Sequence, residues 1–233
     1  MNLSTDFQIE VIRTKRRKTA SIKIVEGQVQ VVVPKRLSDA RVKDLILKRT
    51  SWIKQKLRIQ SETVPPKPKE YVSGESFTYL GKNYKLKLIP NGDGEVKMKG
   101  KYLTLGYPKI LSETDRKSFV KGSLEDWYKG HALSRLTEKT KRYGKMLRVN
   151  PQLVSIKNYK SKWGSCSSTG EIFFNWRIII SPHRIVDYVV VHELCHMLEH
   201  NHSAAYWSHV KSIIPDFNQD RQWLKVNGVG LFV

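Results

Sequence analysis

A chain of 233 residues, 39% hydrophobic and 10% aromatic, can bury one sizeable core or two modest ones. No apolar run approaches the roughly 20 residues of a membrane span, Met1 to Glu10 carries no apolar signal segment, and two cysteines, Cys166 and Cys195, exclude a disulfide framework. A cytoplasmic protein with two reduced, buried thiols is therefore expected, and its 42 Lys and Arg against 21 Asp and Glu give it a formal net charge of +21. In chain order, Gln8 to Arg13, Ser21 to Val25 and Gln28 to Val33 read as short strands, the last two joined by a Glu26-Gly27 turn. Ser38-Asp39 then caps a helix reaching Gln60, with Val42, Leu45, Ile46, Trp52, Ile53 and Leu57 on its apolar stripe. The proline-rich stretch Val64 to Lys69 is a stiff linker that cannot be helix. Beyond it, Ser76 to Ile89 alternates like two strands around Gly81-Lys82-Asn83, Asn91 to Gly94 is a turn, and Tyr102 to Leu105 closes a small antiparallel sheet. A long helix is expected from about Ser112 to Lys145, with Phe119, Leu124, Trp127, Leu133 and Leu136 turned inward.

The last third carries the chemistry. Val154 to Lys157 reads as a strand, antiparallel to an aromatic and β-branched strand over 172–180, and Ser181-Pro182 offers an N-cap with proline in the first turn. The following helix has almost no polar face from Ile185 to Leu194, so it belongs inside a domain. It bears His192-Glu193-Leu194-Cys195-His196, with His202 six residues on. Two imidazoles four residues apart project from one helical face, and Glu193 lies about a quarter turn away. Neutral nitrogens suit Zn²⁺, while a free carboxylate beside them can take a proton from water. The third ligand is His202 or its rival His200, which continues the ladder from His196. Three ligands along one straight helix fan apart by about 40° per step, which favours His202. A helix stop at Asn201 would bring it back. Tyr206, Val210 and Ile213 predict a further helix ended by Pro215.

Lys162-Trp163-Gly164-Ser165-Cys166, Ile172 to Arg177, Asp187 to Val191, the HExxH run, Asn201-His202-Ser203 and Tyr206-Trp207 occur in one order. Together they resemble the YgjP-like family of predicted metal-dependent hydrolases, relatives of the SprT and WLM metallopeptidases. The likeness extends more loosely over Arg17, Val29 to Pro34, Trp52-Ile53 and Tyr79-Leu80-Gly81. It implies one Zn²⁺ per chain, with other divalent transition metals also suited to the donors; His192, His196 and His202 are the implied ligands and Glu193 the catalytic acid/base. Tyr206 stands where the family usually carries Phe. The expected fold is α+β: a β-rich N-terminal domain with one helix over 1–106, then a zincin-like domain over 107–233 whose small antiparallel sheet packs on the HExxH helix.

The leading functional reading is a zinc-dependent hydrolase acting on a peptide or protein. Glu193 would be its general base, and an exposed strand near Ile172 to Trp176 would hold the substrate by strand addition. Trp176, Arg177 and Lys162 are the candidate substrate-binding residues. One alternative is a nucleoside triphosphate (UTP) pyrophosphatase, a reaction also ascribed to the family, with Arg177, Lys160 and Lys162 neutralising phosphate charge. Against it, the chain lacks a P-loop, and Mg²⁺ prefers oxygen ligands to three histidines. The other is a basic module with a structural metal, associating with nucleic acid through its cationic surface at 13–18, 43–58, 82–101 and 139–162. A structural zinc site usually takes four protein ligands, which disfavours that reading.

Overall fold

Val29, Val31 and Val33 alternate onto one face of a strand, and Val42, Ile46 and Ile53 recur on one face of a helix; these six residues are fully buried together. They form the core of the first of two compact units, Met1–Pro66 and Lys67–Val233. The structure, a computed structural model, describes residues 6–15, 19–25, 27–62 and 68–232. Arg17, Glu26 and residues 64–67 of the expected linker lie outside the described residues. In the first unit, β1 (Ile9–Thr14), β2 (Ser21–Val25) and β3 (Gln28–Pro34) form a sheet in the order β1-β3-β2, followed by α1 (Asp39–Glu62). Strand β1 runs parallel to β3, and β2 antiparallel to it.

The second unit opens with β4 (Ser76–Tyr79), β5 (Lys82–Pro90), β6 (Val96–Lys99) and β7 (Tyr102–Tyr107), in the order β4-β5-β7-β6. A division at 106/107 would cut this unit. Phe77, Leu86, Leu103 and Leu105 share one core with Val120 and Leu124 of α2 (Glu113–Leu147), so the four strands and that helix bury each other's apolar faces. Ser112 caps α2 by accepting from the Asp115 amide at 3.2 Å, and Arg148 ends it in a left-handed conformation. Leu133, expected inward, is 40% exposed.

Next come β8 (Leu153–Lys157), β9 (Gly164–Cys166) and β10 (Glu171–Asn175), in the order β8-β10-β9. Two expectations change here. Strand β8 pairs with β10 in parallel, not antiparallel. The tight Ser167–Gly170 turn makes β9 the antiparallel hairpin partner of β10, so β8 is left the far edge. The sheet is accordingly mixed. The strand expected over 172–180 stops at Asn175, whose side-chain oxygen accepts from the Arg177 amide at 3.2 Å and starts a 3-10 turn, Trp176–Ile180. The β4–β5 hairpin tip joins that turn: Leu80 and Gly81 donate to the carbonyls of Ile179 and Ile180 at 2.8 and 3.2 Å. Gly81 has φ +77°, and a Cβ there would lie 2.9 Å from Pro182 Cα.

Helices α3 (His183–Cys195), α4 (Ala204–Ile213) and α5 (Phe217–Asn227) complete the unit. Pro182 itself is the cap residue of α3, because the Ser181 hydroxyl donates back to the Ile178 carbonyl at 2.6 Å. No helix among the described residues is long and apolar enough to cross a membrane.

Candidate metal centre

Helix α3 is held by its apolar side chains: Ile185, Val186, Val190, Val191, Leu194 and Cys195 are fully buried in the main core. His192 and His196, one turn apart on it, have ring centroids 5.1 Å apart. The helix does not reach Asn201. It ends at Cys195, where the amides of Met197 and Leu198 turn back to the carbonyls of Leu194 and Cys195, both at 3.0 Å. This tightening takes His200 off the helical ladder and leaves it exposed. Ser203 then caps α4 by accepting from the Tyr206 amide at 3.2 Å. The short loop between the helices thereby returns His202 to the other two histidines.

Ligand atoms of His192, His196 and His202 all lie within 4.8 Å of one another. Nε2 of His192 and Nε2 of His202 are 3.2 Å apart. Two nitrogens at about 2.0–2.1 Å from a tetrahedral Zn²⁺ would be separated by about 3.3 Å, so this pair fits that ion. Burial favours the neutral form of two of the donors. Burial first, then the neighbouring His196 and His202, lowers the His192 pKa to about 3. Burial likewise lowers that of His196. Nδ1 of His196 faces the Glu199 carbonyl at 3.3 Å, and a carbonyl only accepts, so Nε2 keeps its lone pair.

Aromatic side chains from α4 and α5 brace the cluster. Tyr206, fully buried, donates from its hydroxyl to the His192 carbonyl at 2.9 Å. Trp207 stacks on His202 at 5.4 Å and on Phe217 at 5.1 Å. Glu193 is 5% exposed, and burial raises its carboxyl pKa to about 8 against the opposing charge of Lys162. Its carboxyl lies against Gly164 of β9, where a Cβ would come within 2.6 Å of Oε1 and Cγ. Cys195 is held as a neutral thiol, burial raising its pKa to about 12, which removes it as a thiolate ligand.

Of the residues singled out from the sequence, the three histidines come together, Glu193 follows His192 on the same helix, and Lys162 is near enough for its charge to act on Glu193. Trp176 and Arg177 do not join them. Trp176 is 6% exposed in the core, 5.9 Å from the Tyr128 ring, and Arg177 lies over its indole and donates to Asn158. Sequence reasoning missed Gly164, Tyr206 and Trp207 as parts of the site. A glycine inside a strand-like run was the available signal for the first, since it marks a close approach of another group.

The family model described as "YgjP-like, metallopeptidase domain" matches residues 18–227. No curated protein matches the chain significantly. Two solved structures are similar to part of it. The metallopeptidase zymogen of Pyrococcus abyssi abylysin shares 20% identity with a TM-score of 0.36, over 39% of this chain and 94% of that one. The metallopeptidase zymogen of Methanocaldococcus jannaschii jannalysin shares 21% identity with a TM-score of 0.35, over 39% of this chain and 92% of that one.

Proposed function

The chain belongs to the YgjP-like metallopeptidase family, and from that premise we propose that it is a zinc-dependent, zincin-like peptidase in which His192, His196 and His202 hold the ion and Glu193 is the general base. The observation that carries this reading is the convergence of three imidazoles, two of them on the helix that also carries a buried carboxyl at Glu193. Zn²⁺ bound there supplies Lewis acidity toward a carbonyl oxygen and acidifies water. Glu193 takes the proton of the attacking water on a carboxylate oxygen and later releases it to the leaving amine. Tyr206 holds the His192 backbone and Trp207 stacks on the His202 ring, which restrains the donors.

Substrate docking differs from the expectation that Ile172 to Trp176 receives a peptide. Strand β10 is paired on both sides, by β8 and β9, and Trp176 has left the strand. The free edge nearest Glu193 belongs to β9, through Gly164, and an extended peptide adding there would run past the carboxyl. Zinc-loaded wild type and Glu193→Gln, incubated with a denatured protein mixture and with UTP, test the proposal. Wild type should cleave protein, while Glu193→Gln keeps its zinc and loses about 10²–10⁴-fold in rate. Hydrolysis of UTP with protein untouched would replace the peptidase by a pyrophosphatase, and turnover of neither would overturn both.

A further inference from the structure

Strand β9 has only three residues and pairs on one side, and the six residues before it, 158–163, form neither helix nor strand. Beside the Tyr159–Ser165 hydroxyl contact at 2.7 Å and the Arg177–Asn158 hydrogen bond, Asn175, with no exposed surface, ties this segment to the end of β10. Its side-chain amide donates to the carbonyls of Tyr159 and Lys162 at 2.9 and 3.1 Å, and its backbone amide donates to the Trp163 carbonyl at 2.8 Å. Its remaining side-chain oxygen accepts from the Arg177 amide, so every polar group of the carboxamide is used.

What these bonds hold is the surroundings of Glu193. The residue after Trp163 is Gly164, the wall against which the carboxyl rests. Trp163 is itself seated on Gly228 at the end of α5, where a Cβ would lie 3.2 Å from its indole. We propose that Asn175 is a positioning residue for Glu193: by clamping 159–163 it sets where Gly164 meets the carboxyl. Its hydrogen bonds go to the 159–163 backbone and to Arg177, so its effect is carried through Gly164. A carboxamide is required because two carbonyls must be met by two N–H groups; an aspartate of the same shape cannot supply both. Misplacement by about an ångström is enough to cost roughly 100-fold in a positioned reaction.

The kinetic part of this proposal rests on the peptidase reading, so the test uses two independent readouts on the full chain. In metal-free protein, Asn175→Ala and Asn175→Asp should speed amide hydrogen exchange across 159–166 while the α3 amides stay protected. In zinc-loaded protein the same variants should lower kcat roughly 10–100-fold, with KM within about threefold and zinc per chain unchanged. Gly164→Ala should lower kcat without releasing 159–163. Val120→Ala, which opens the separate core at α2, is the control for lost stability and should leave kcat at the wild-type level below its melting range. Wild-type exchange over 159–166 in the Asn175 variants would overturn the clamp. A kcat that falls only in step with the folded fraction would overturn the positioning role. A wild type inactive on every peptide defeats the peptidase reading instead, and the exchange readout still decides the clamp.

Discussion

His192 and Glu193 are adjacent, yet burial drives their titrations in opposite directions. Burial disfavours whichever form is charged, lowering the imidazole to about 3 and raising the carboxyl to about 8. In chelator-treated protein each shift becomes a stability term. Between 4.5, its ordinary value, and about 8, Glu193 binds more proton folded than unfolded, so its contribution is complete at low pH and lost as pH rises through 8. His192 binds more proton unfolded between about 3 and its ordinary 6.5, so its contribution is complete above 6.5 and lost as pH falls through 3. From pH 6.5 to 8 only the Glu193 slope of this pair remains. Thermal melts should therefore show Glu193→Gln gaining on wild type steadily over that window; parallel curves would refute the burial assignment. At this scale the three-histidine cluster was legible, because helical spacing and one short loop bring it together. Gly164 and Asn175 were not, since what each does depends on side chains or carbonyls delivered by other segments.

Elements were legible where their signals are local. Ser112 starts α2 and Ser203 starts α4, each through a hydrogen bond within a turn, and Pro215, which has no amide hydrogen, follows the end of α4. Strand direction is not a local property: nothing within Leu153–Lys157 says whether its partner runs parallel, and the answer came from β9 taking the hairpin position. The early end of β10 has a nearer cause, the Asn175 side chain competing for a backbone amide. Packing between elements yields a further prediction. Arg184 of α3, half-exposed, pairs with Asp220 of α5, which is buried. Burial pushes the Asp220 pKa up and the Arg184 hydrogen bond opposes it. Arg184→Ala should cost about 1–3 kcal/mol, by leaving a buried carboxylate without its partner. Adding Asp220→Asn should recover part of that loss in denaturant titration; a double variant no more stable than Arg184→Ala would show that the pair matters through packing alone.

At the scale of the molecule, the proline-rich stretch near 66 was visible in the sequence, but the division was expected 40 residues later because β4–β7 read as a continuation of a β-rich domain. Which core a strand joins is decided by the helix that covers it, and α2 lies beyond 106. Since no residue before Tyr71 enters either core of the second unit among the described residues, a fragment from Lys67 onward should melt cooperatively and bind zinc as the full chain does. An unfolded fragment would contradict that independence. The formal charge of +21 makes a separate demand on experiment: any association with DNA or RNA through it must weaken steeply as salt rises. The central claim concerns the metal, and X-ray absorption on zinc-loaded protein tests it most directly. It should show three imidazole nitrogen neighbours at about 2.0–2.1 Å with one exchangeable oxygen ligand, and His202→Ala should lose the ion. A sulfur neighbour, four protein ligands, or wild-type zinc content in His202→Ala would contradict it.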